Sequence, residues 1–258
     1  MSEPVVPAGP EEGPPPTDAD GSAPDTLSAT ERTRLRRFPE HGSHRPADLY
    51  AVLDAGFVCH LGIVVDGSPM VVPTSYGRDG DVLYLHGSVA SRSLRAAKQS
   101  VEACVTVTHI DGVVLARSVF EHAINYRCAM VYGRPEVLTD LEQKRRGLRA
   151  ISDQVAPGQW GYARMPTDEE LAVTTVLRMT LDECSVKIRG GPPHDGDLPD
   201  AELDIWAGEL PMRMVRLDLV ADPTLRSGIP APGHLSNGRP APGTASVADV
   251  SHGNPERA

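Results

Sequence analysis

Two runs of β-forming residues, Phe57 to Val65 and Pro69 to Tyr76, meet across the dipeptide Asp66-Gly67. Asp-Gly supplies the positive φ that a tight hairpin turn requires, so the two runs are predicted to pair antiparallel as neighbours. A third run, Asp81 to His86, follows a second turn at Arg78 to Gly80. A chain that opens with hairpins, not with strand-helix-strand units, predicts a mainly β architecture: an antiparallel barrel or sandwich with helices at its margins. Val101 to His109 agrees, because Val101, Ala103, Val105 and Val107 alternate with Cys104, Thr106 and Thr108, the pattern of a strand with one core face and one small polar face. A turn is predicted at Asp111-Gly112, then a long strand from Tyr126 to Leu138 and two more from Val173 to Leu181 and Ser185 to Arg189. Helices are predicted over Arg45 to Ala55, Ser91 to Gln99, Asp140 to Val155 and Thr167 to Ala172. In the third of these Asp140 caps the start and Gln143 stands where a capping box needs it. No G-x-G-x-x-G follows a first strand, and neither G-x-x-x-x-G-K-[ST] nor G-x-S-x-G occurs, which argues against a doubly wound nucleotide fold and a serine-hydrolase elbow.

The segment Asp81 to Arg95, DVLYLHGSVASRSLR, is a strand that stops at a glycine and opens into a helix. Backbone N–H groups at such a helix start favour a bound phosphate, Ser88, Ser91 and Ser93 can add hydroxyls, and Arg92 brings a forked cation. A cation in the first helical turn opposes the helix dipole by up to roughly 1 kcal/mol, a cost that an anion between the two would reverse. Two readings stand: an anion-holding turn, or an ordinary solvated arginine beyond a serine cap.

Composition confines the fold to the middle of the chain. Met1 to Thr30 holds six acidic residues, seven prolines and no lysine or arginine, which predicts a disordered leader, taken as residues 1–33. From Ala221 the sequence is again rich in Pro, Gly, Ser and Ala, with APG at Ala231 and Ala241, so residues 221–258 are predicted to form a second unfolded tail. The domain expected between them is 34–220, long enough for one well-buried core. A net charge of −10 argues against nucleic acid as a partner, since phosphate backbones demand concentrated Lys and Arg. The only basic run, Glu31 to Arg37, reads as a solvated link, or as a segment that covers a site or meets an acidic neighbour. No stretch has the apolar length of a membrane span or the build of a signal peptide. Cys59, Cys104, Cys128 and Cys184 lie scattered in strand-like segments with no metal spacing, as small buried hydrophobes of a reducing, cytoplasmic protein without a metal site.

The run GFVCHLGIVVDGSPMVVPTSYGRDGDVLYLHGSVASRSLRA, continued by CVTVTHIDGVVLARSVFEHAINYRCAMVYGRPEVL, resembles the pyridoxamine 5′-phosphate oxidase-like superfamily, in the flavin-binding branch related to nitroimidazole-resistance proteins. The likeness runs from about Arg34 to Pro211. It implies a split β-barrel, Greek-key-like, that forms a homodimer with FMN in clefts between subunits. It places Ser91 and Arg92, with Ser88, at the flavin phosphate, although Ser93 stands where a further basic residue often follows in the oxidases proper. It implies that Pro73, Thr74 and Ser75 border the isoalloxazine, that His86 approaches the cofactor, and that Thr106 and Thr108 line it. Arg127, Lys187 and Trp206 match positions near the same cleft. The activity implied is that of an FMN-dependent oxidoreductase on a small molecule, a nitro-aromatic reductase being one version. The alternatives are the same barrel holding haem, a deazaflavin or FAD, or FMN without turnover, and, more weakly, pyridoxamine phosphate oxidation itself.

Overall fold

In the computed structural model, which describes residues 26–97 and 101–236, Asp66 and Gly67 turn with φ of 51° and 76°. Among the described residues ten strands and six α-helices follow one another: β1 (Gly42–Ser43), α1 (Pro46–Asp54), β2 (Val58–Val65), β3 (Ser68–Asp79), β4 (Val82–Ser88), α2 (Arg92–Ala97), β5 (Ala103–Leu115), β6 (Ala123–Gly133), β7 (Glu136–Val137), α3 (Leu141–Val155), α4 (Gln159–Tyr162), α5 (Asp168–Ala172), β8 (Thr174–Thr180), β9 (Glu183–Arg189), β10 (Gly208–Pro211) and α6 (Gly233–Ser236). All pairings are antiparallel, in the order β1-β9-β6-β5-β2-β3-β4-β8-β7, with β10 added to β5. The two ends of this order do not pair, so the sheet stays open. One core cluster takes Leu61, Tyr76, Leu85, Val105, Val131 and Leu177 from strands along that order, which requires the sheet to wrap around it. The alternation predicted from Val101 is kept, with Ala103, Val105 and Val107 buried and Thr106 and Thr108 on the opposite face.

The sheet splits within β3. Its first part pairs with β2 as far as Val58↔Ser75, and its second part pairs with β4 from Tyr76↔Leu85 onward. Helix α3 covers the β3–β4 side, where Tyr84, Leu138, Ile151 and Val176 make a second, smaller core. Asp140 caps α3, its carboxylate accepting from the Gln143 amide at 2.9 Å, and Thr167 with Glu170 forms a full capping box on α5.

Three expectations change. Asp111-Gly112 is not a turn: β5 runs through it to Leu115 with a register shift between Ile110 and Gly112. Long-range pairing overrides the local turn signal, because β10 lies beside Gly112, where a side chain would sit 3.0 Å from the Leu210 carbonyl oxygen. The strand expected from Tyr126 to Leu138 ends at Gly133, with a φ of 156°, before Arg134-Pro135 and a crossing to the far end of the sheet order, where β7 pairs β8. The ends reach further than the composition predicts. Leu27 joins the main core, and Arg32 forks onto Glu183 and Glu102 while lying over the Tyr132 ring, so the basic run meets acidic neighbours of its own chain. At the other end His234 shares a 2.9 Å hydrogen bond with Gln159 and holds α6 to α4. Residues 1–25 and 237–258 of the two expected tails lie outside the described residues, as does the last turn of the helix expected from Ser91 to Gln99.

Candidate functional site

Where β3 leaves β2 for β4, two strand edges face each other without pairing. Continuing the β3–β4 register beyond Tyr76↔Leu85 would set Ser75 against His86 and Pro73 against Ser88, yet no pair forms there. Pro73, Thr74 and Ser75 make one lip and His86, Gly87 and Ser88 the other. Pro73 has no N–H to give a neighbouring strand, which favours an edge at this point. The residues on these lips are chemically mixed. Pro73 and Ser75 lie on the outer face of the sheet, whereas Thr74 lies on the same side as buried Cys59, its register partner. His86 lies on the Tyr84 side of β4 at the margin of α3, half-buried, with Nδ1 buried and unpartnered. Burial lowers the pKa of His86, so the imidazole is neutral and ready to bond with a ligand.

Beyond Ser88 the chain turns, with the Ser91 amide donating to the Ser88 carbonyl at 2.9 Å. The Ser88 hydroxyl accepts from the Ala90 amide at 3.2 Å, and the Ser91 and Ser93 hydroxyls share a 3.0 Å bond. Leu94, Ala96 and Ala97 anchor α2 in the main core. Arg92 points the other way, 65% exposed, with a loose 3.6 Å contact to Asp66. Such a surface pair contributes little, and the guanidinium is accessible to an anion. Ser93 is buried.

The family model for pyridoxamine 5′-phosphate oxidase matches residues 45–188, more than half of the chain. The chain belongs to the pyridoxamine 5′-phosphate oxidase family. Among solved structures, the flavocytochrome Anf3 of Azotobacter vinelandii is 34% identical, with a TM-score of 0.77 over 81% of this chain and 97% of that one. The FAD and haem binding protein of Mycobacterium smegmatis is 35% identical, with a TM-score of 0.74 over 78% and 98%. A candidate 5-nitroimidazole antibiotic resistance protein of Bacteroides thetaiotaomicron matches at 22% identity and a TM-score of 0.49, over 57% and 86%. No curated protein matches the chain.

The remaining positions carried over from the pyridoxamine 5′-phosphate oxidase family fall elsewhere in the chain. Thr106 and Thr108 lie on the outer sheet face, with Thr106 opposite His60 and His60 opposite Pro73. They are separated from the lips by β2. Lys187 shares that face across β6, but its ammonium donates to the Arg37 carbonyl at 2.9 Å beneath the N-terminal segment. Arg127 is turned inward, and Asp111 takes its fork through bonds of 2.9 and 2.8 Å. Trp206 is exposed and closely flanks Gly208, where a side chain would meet its ring at 2.9 Å. Thus Pro73, Thr74, Ser75, His86, Ser88, Ser91 and Arg92 gather around the split and the turn that follows it, while Thr106, Thr108, Lys187, Arg127 and Trp206 do not reach it within one chain. The sequence reading missed His60. Cys59, Leu61 and Ile63 alternate with it as buried residues, and that alternation would have put the imidazole on the open face.

Proposed function

We propose that this chain is a flavin- and haem-binding redox protein, a flavocytochrome that acts on a small molecule as a cytoplasmic homodimer. The observation that carries the reading is its 34 and 35% identity, over nearly the whole length of each relative, to a flavocytochrome and to a FAD and haem binding protein. We read the flavin as FAD on the second of these, with the family's usual FMN as the alternative. The side chains fit a flavin: an orphaned imidazole nitrogen at one lip, hydroxyls at the turn, and an exposed guanidinium beyond it. Bound flavin and haem would supply the electron transfer itself. The protein's part is to hold the phosphate with Ser91 and Arg92, to border the ring with the strand edges at Pro73–Ser75 and His86–Ser88, and to offer an imidazole. His86 at the split and His60 on the outer face, beside exposed Val58 and across from Pro73, are two imidazoles near these lips that could serve an iron. The half-apolar outer face supports the dimer, which would bring Thr106 and Thr108 against a second chain. Ser93 is buried where a basic residue would serve the oxidases proper, and no pyridoxal phosphate is expected from pyridoxamine phosphate and oxygen.

The deciding experiment is the absorption spectrum of the purified protein, followed by mass analysis of what it releases on denaturation. Flavin bands with a Soret band, and FAD in the supernatant, are expected. A colourless protein that takes up neither added flavin nor haemin would end the reading. Arg92→Ala is expected to weaken flavin binding by about 1.5–3 kcal/mol, the worth of a hydrogen bond to a charged group; titration with FAD and with riboflavin separates loss of a phosphate contact, which spares riboflavin, from a general defect. His86→Ala is expected to lower the cofactor-to-protein ratio. The spectrum tells which group it serves, since loss of the Soret band alone makes it the iron ligand and a shift of the flavin bands places it at the ring.

A further inference from the structure

Beyond β10 the chain runs from Met212 to Ile229 without helix or strand, and Met214, Leu217 and Val220 are 67%, 84% and 94% exposed. Its course is nevertheless fixed at both ends. The Met212 amide donates to the Asp111 carbonyl at 2.9 Å, Arg216 donates to the Val155 carbonyl at 2.8 Å, and α6 is held on α4 through His234 and Gln159. An apolar strap held in place with its large side chains exposed is a surface awaiting a partner. The same chain carries a second bare apolar surface, the outer sheet face with Val58, Val64, Val71, Ile110 and Ile124 exposed.

We propose that the strap of each chain clasps the outer sheet face of a second copy, and this rests on the homodimer reading above. Self-association follows from the pairing of two complementary surfaces on one molecule: in a two-fold dimer each strap finds a face and each face a strap. A standard interface buries about 800 Å² per partner, and a strap and a face that each expose five or more large aliphatic side chains are of that scale.

Sedimentation equilibrium of the full chain at micromolar concentration should give the mass of a dimer. Leu217→Asp with Leu219→Asp, both on exposed positions, should weaken association on the order of 100-fold, the scale of losing central apolar anchors, with the far-UV circular dichroism unchanged. Val71→Asp on the face should do the same. A full chain that sediments as a monomer overturns the homodimer reading itself. A dimer whose association is unmoved by the strap variants overturns the strap proposal and leaves the homodimer standing.

Discussion

Gly77→Ala is expected to cost about 3 kcal/mol of stability, the upper end of what overpacking costs, and to strip the protein of cofactor. A Cβ at Gly77 would lie 2.3 Å from the Ala150 carbonyl carbon, 2.4 Å from the Ile151 nitrogen and 2.5 Å from the Ala150 oxygen. These are backbone atoms of α3, so no side-chain rotation relieves the clash and the helix must move as a body. Gly147 makes the same seam from the other side, where a Cβ would meet Tyr84 at 2.8 Å and Val176 at 2.9 Å. Lifting α3 opens the small core of Tyr84, Leu138, Ile151 and Val176 and loosens the split next to it. Gly77 is two residues from Ser75, and α3 also ties down the end of α1 and the connection to β2, with Gln154 donating to the carbonyls of Leu53 at 3.0 Å and Gly56 at 2.6 Å. Urea unfolding of the purified variant, read beside its absorbance ratio of cofactor to protein, measures both effects. Gly161→Ala, where an added Cβ meets nothing within 4 Å, is the control. If Gly77→Ala unfolds at the control's midpoint, α3 is not seated as described.

Local signals carried the fold as far as neighbouring elements. Asp66-Gly67 fixed the hairpin, the alternation from Ala103 to Val107 fixed a core face, and Asp140 fixed the start of α3, because each depends on residues within one turn or strand. What failed depends on distant chain. Asp111-Gly112 has the composition of a turn, but β10 arrives from nearly a hundred residues away and pairs with it. Leu27 sits in an acidic, proline-rich stretch, yet it closes the main core beneath a segment pinned by Arg32. From Ala221 the strap reads as unfolded by composition, since nothing local says that α6 beyond it is held on α4. The candidate site divides the same way. Arg92 and the serines around it could be read from one strand-turn-helix, whereas the lips of the split exist only because β3 changes partners at Ser75, an event hinted at by Pro73 and decided by the whole sheet.

Arg127 shows how a site reading made from sequence separates from a structural one. Arg127→Met is expected to destabilise the fold by about 3–5 kcal/mol, the cost of breaking a buried pair and leaving the partner's charge behind. Arg127 is 5% exposed and holds Asp111 with two bonds, so the carboxylate would stay in the interior without its fork. Asp111→Leu combined with Arg127→Met should recover much of the loss, since removing both charges removes the desolvation cost with them. His109 gives the variant a pH signature. In the intact protein burial lowers the His109 pKa, its bond to the Val52 carbonyl raises it, and the Arg127 and Asp111 charges act in opposite directions. Without Arg127 the Asp111 charge is unopposed, and the lowered folded-state pKa of His109 moves back towards its ordinary value. Burial keeps the folded His109 pKa below its unfolded value, so the buried imidazole costs stability as pH falls and the unfolded chain takes up the proton, and a less depressed folded pKa reduces that cost. The stability lost by Arg127→Met should therefore be smaller at roughly pH 5.5 than at roughly pH 8, on either side of the ordinary histidine value of about 6.5. Equal losses at both pH values would separate His109 from the pair. A variant that keeps full stability but releases flavin would instead make Arg127 a cofactor ligand, in spite of its inward turn.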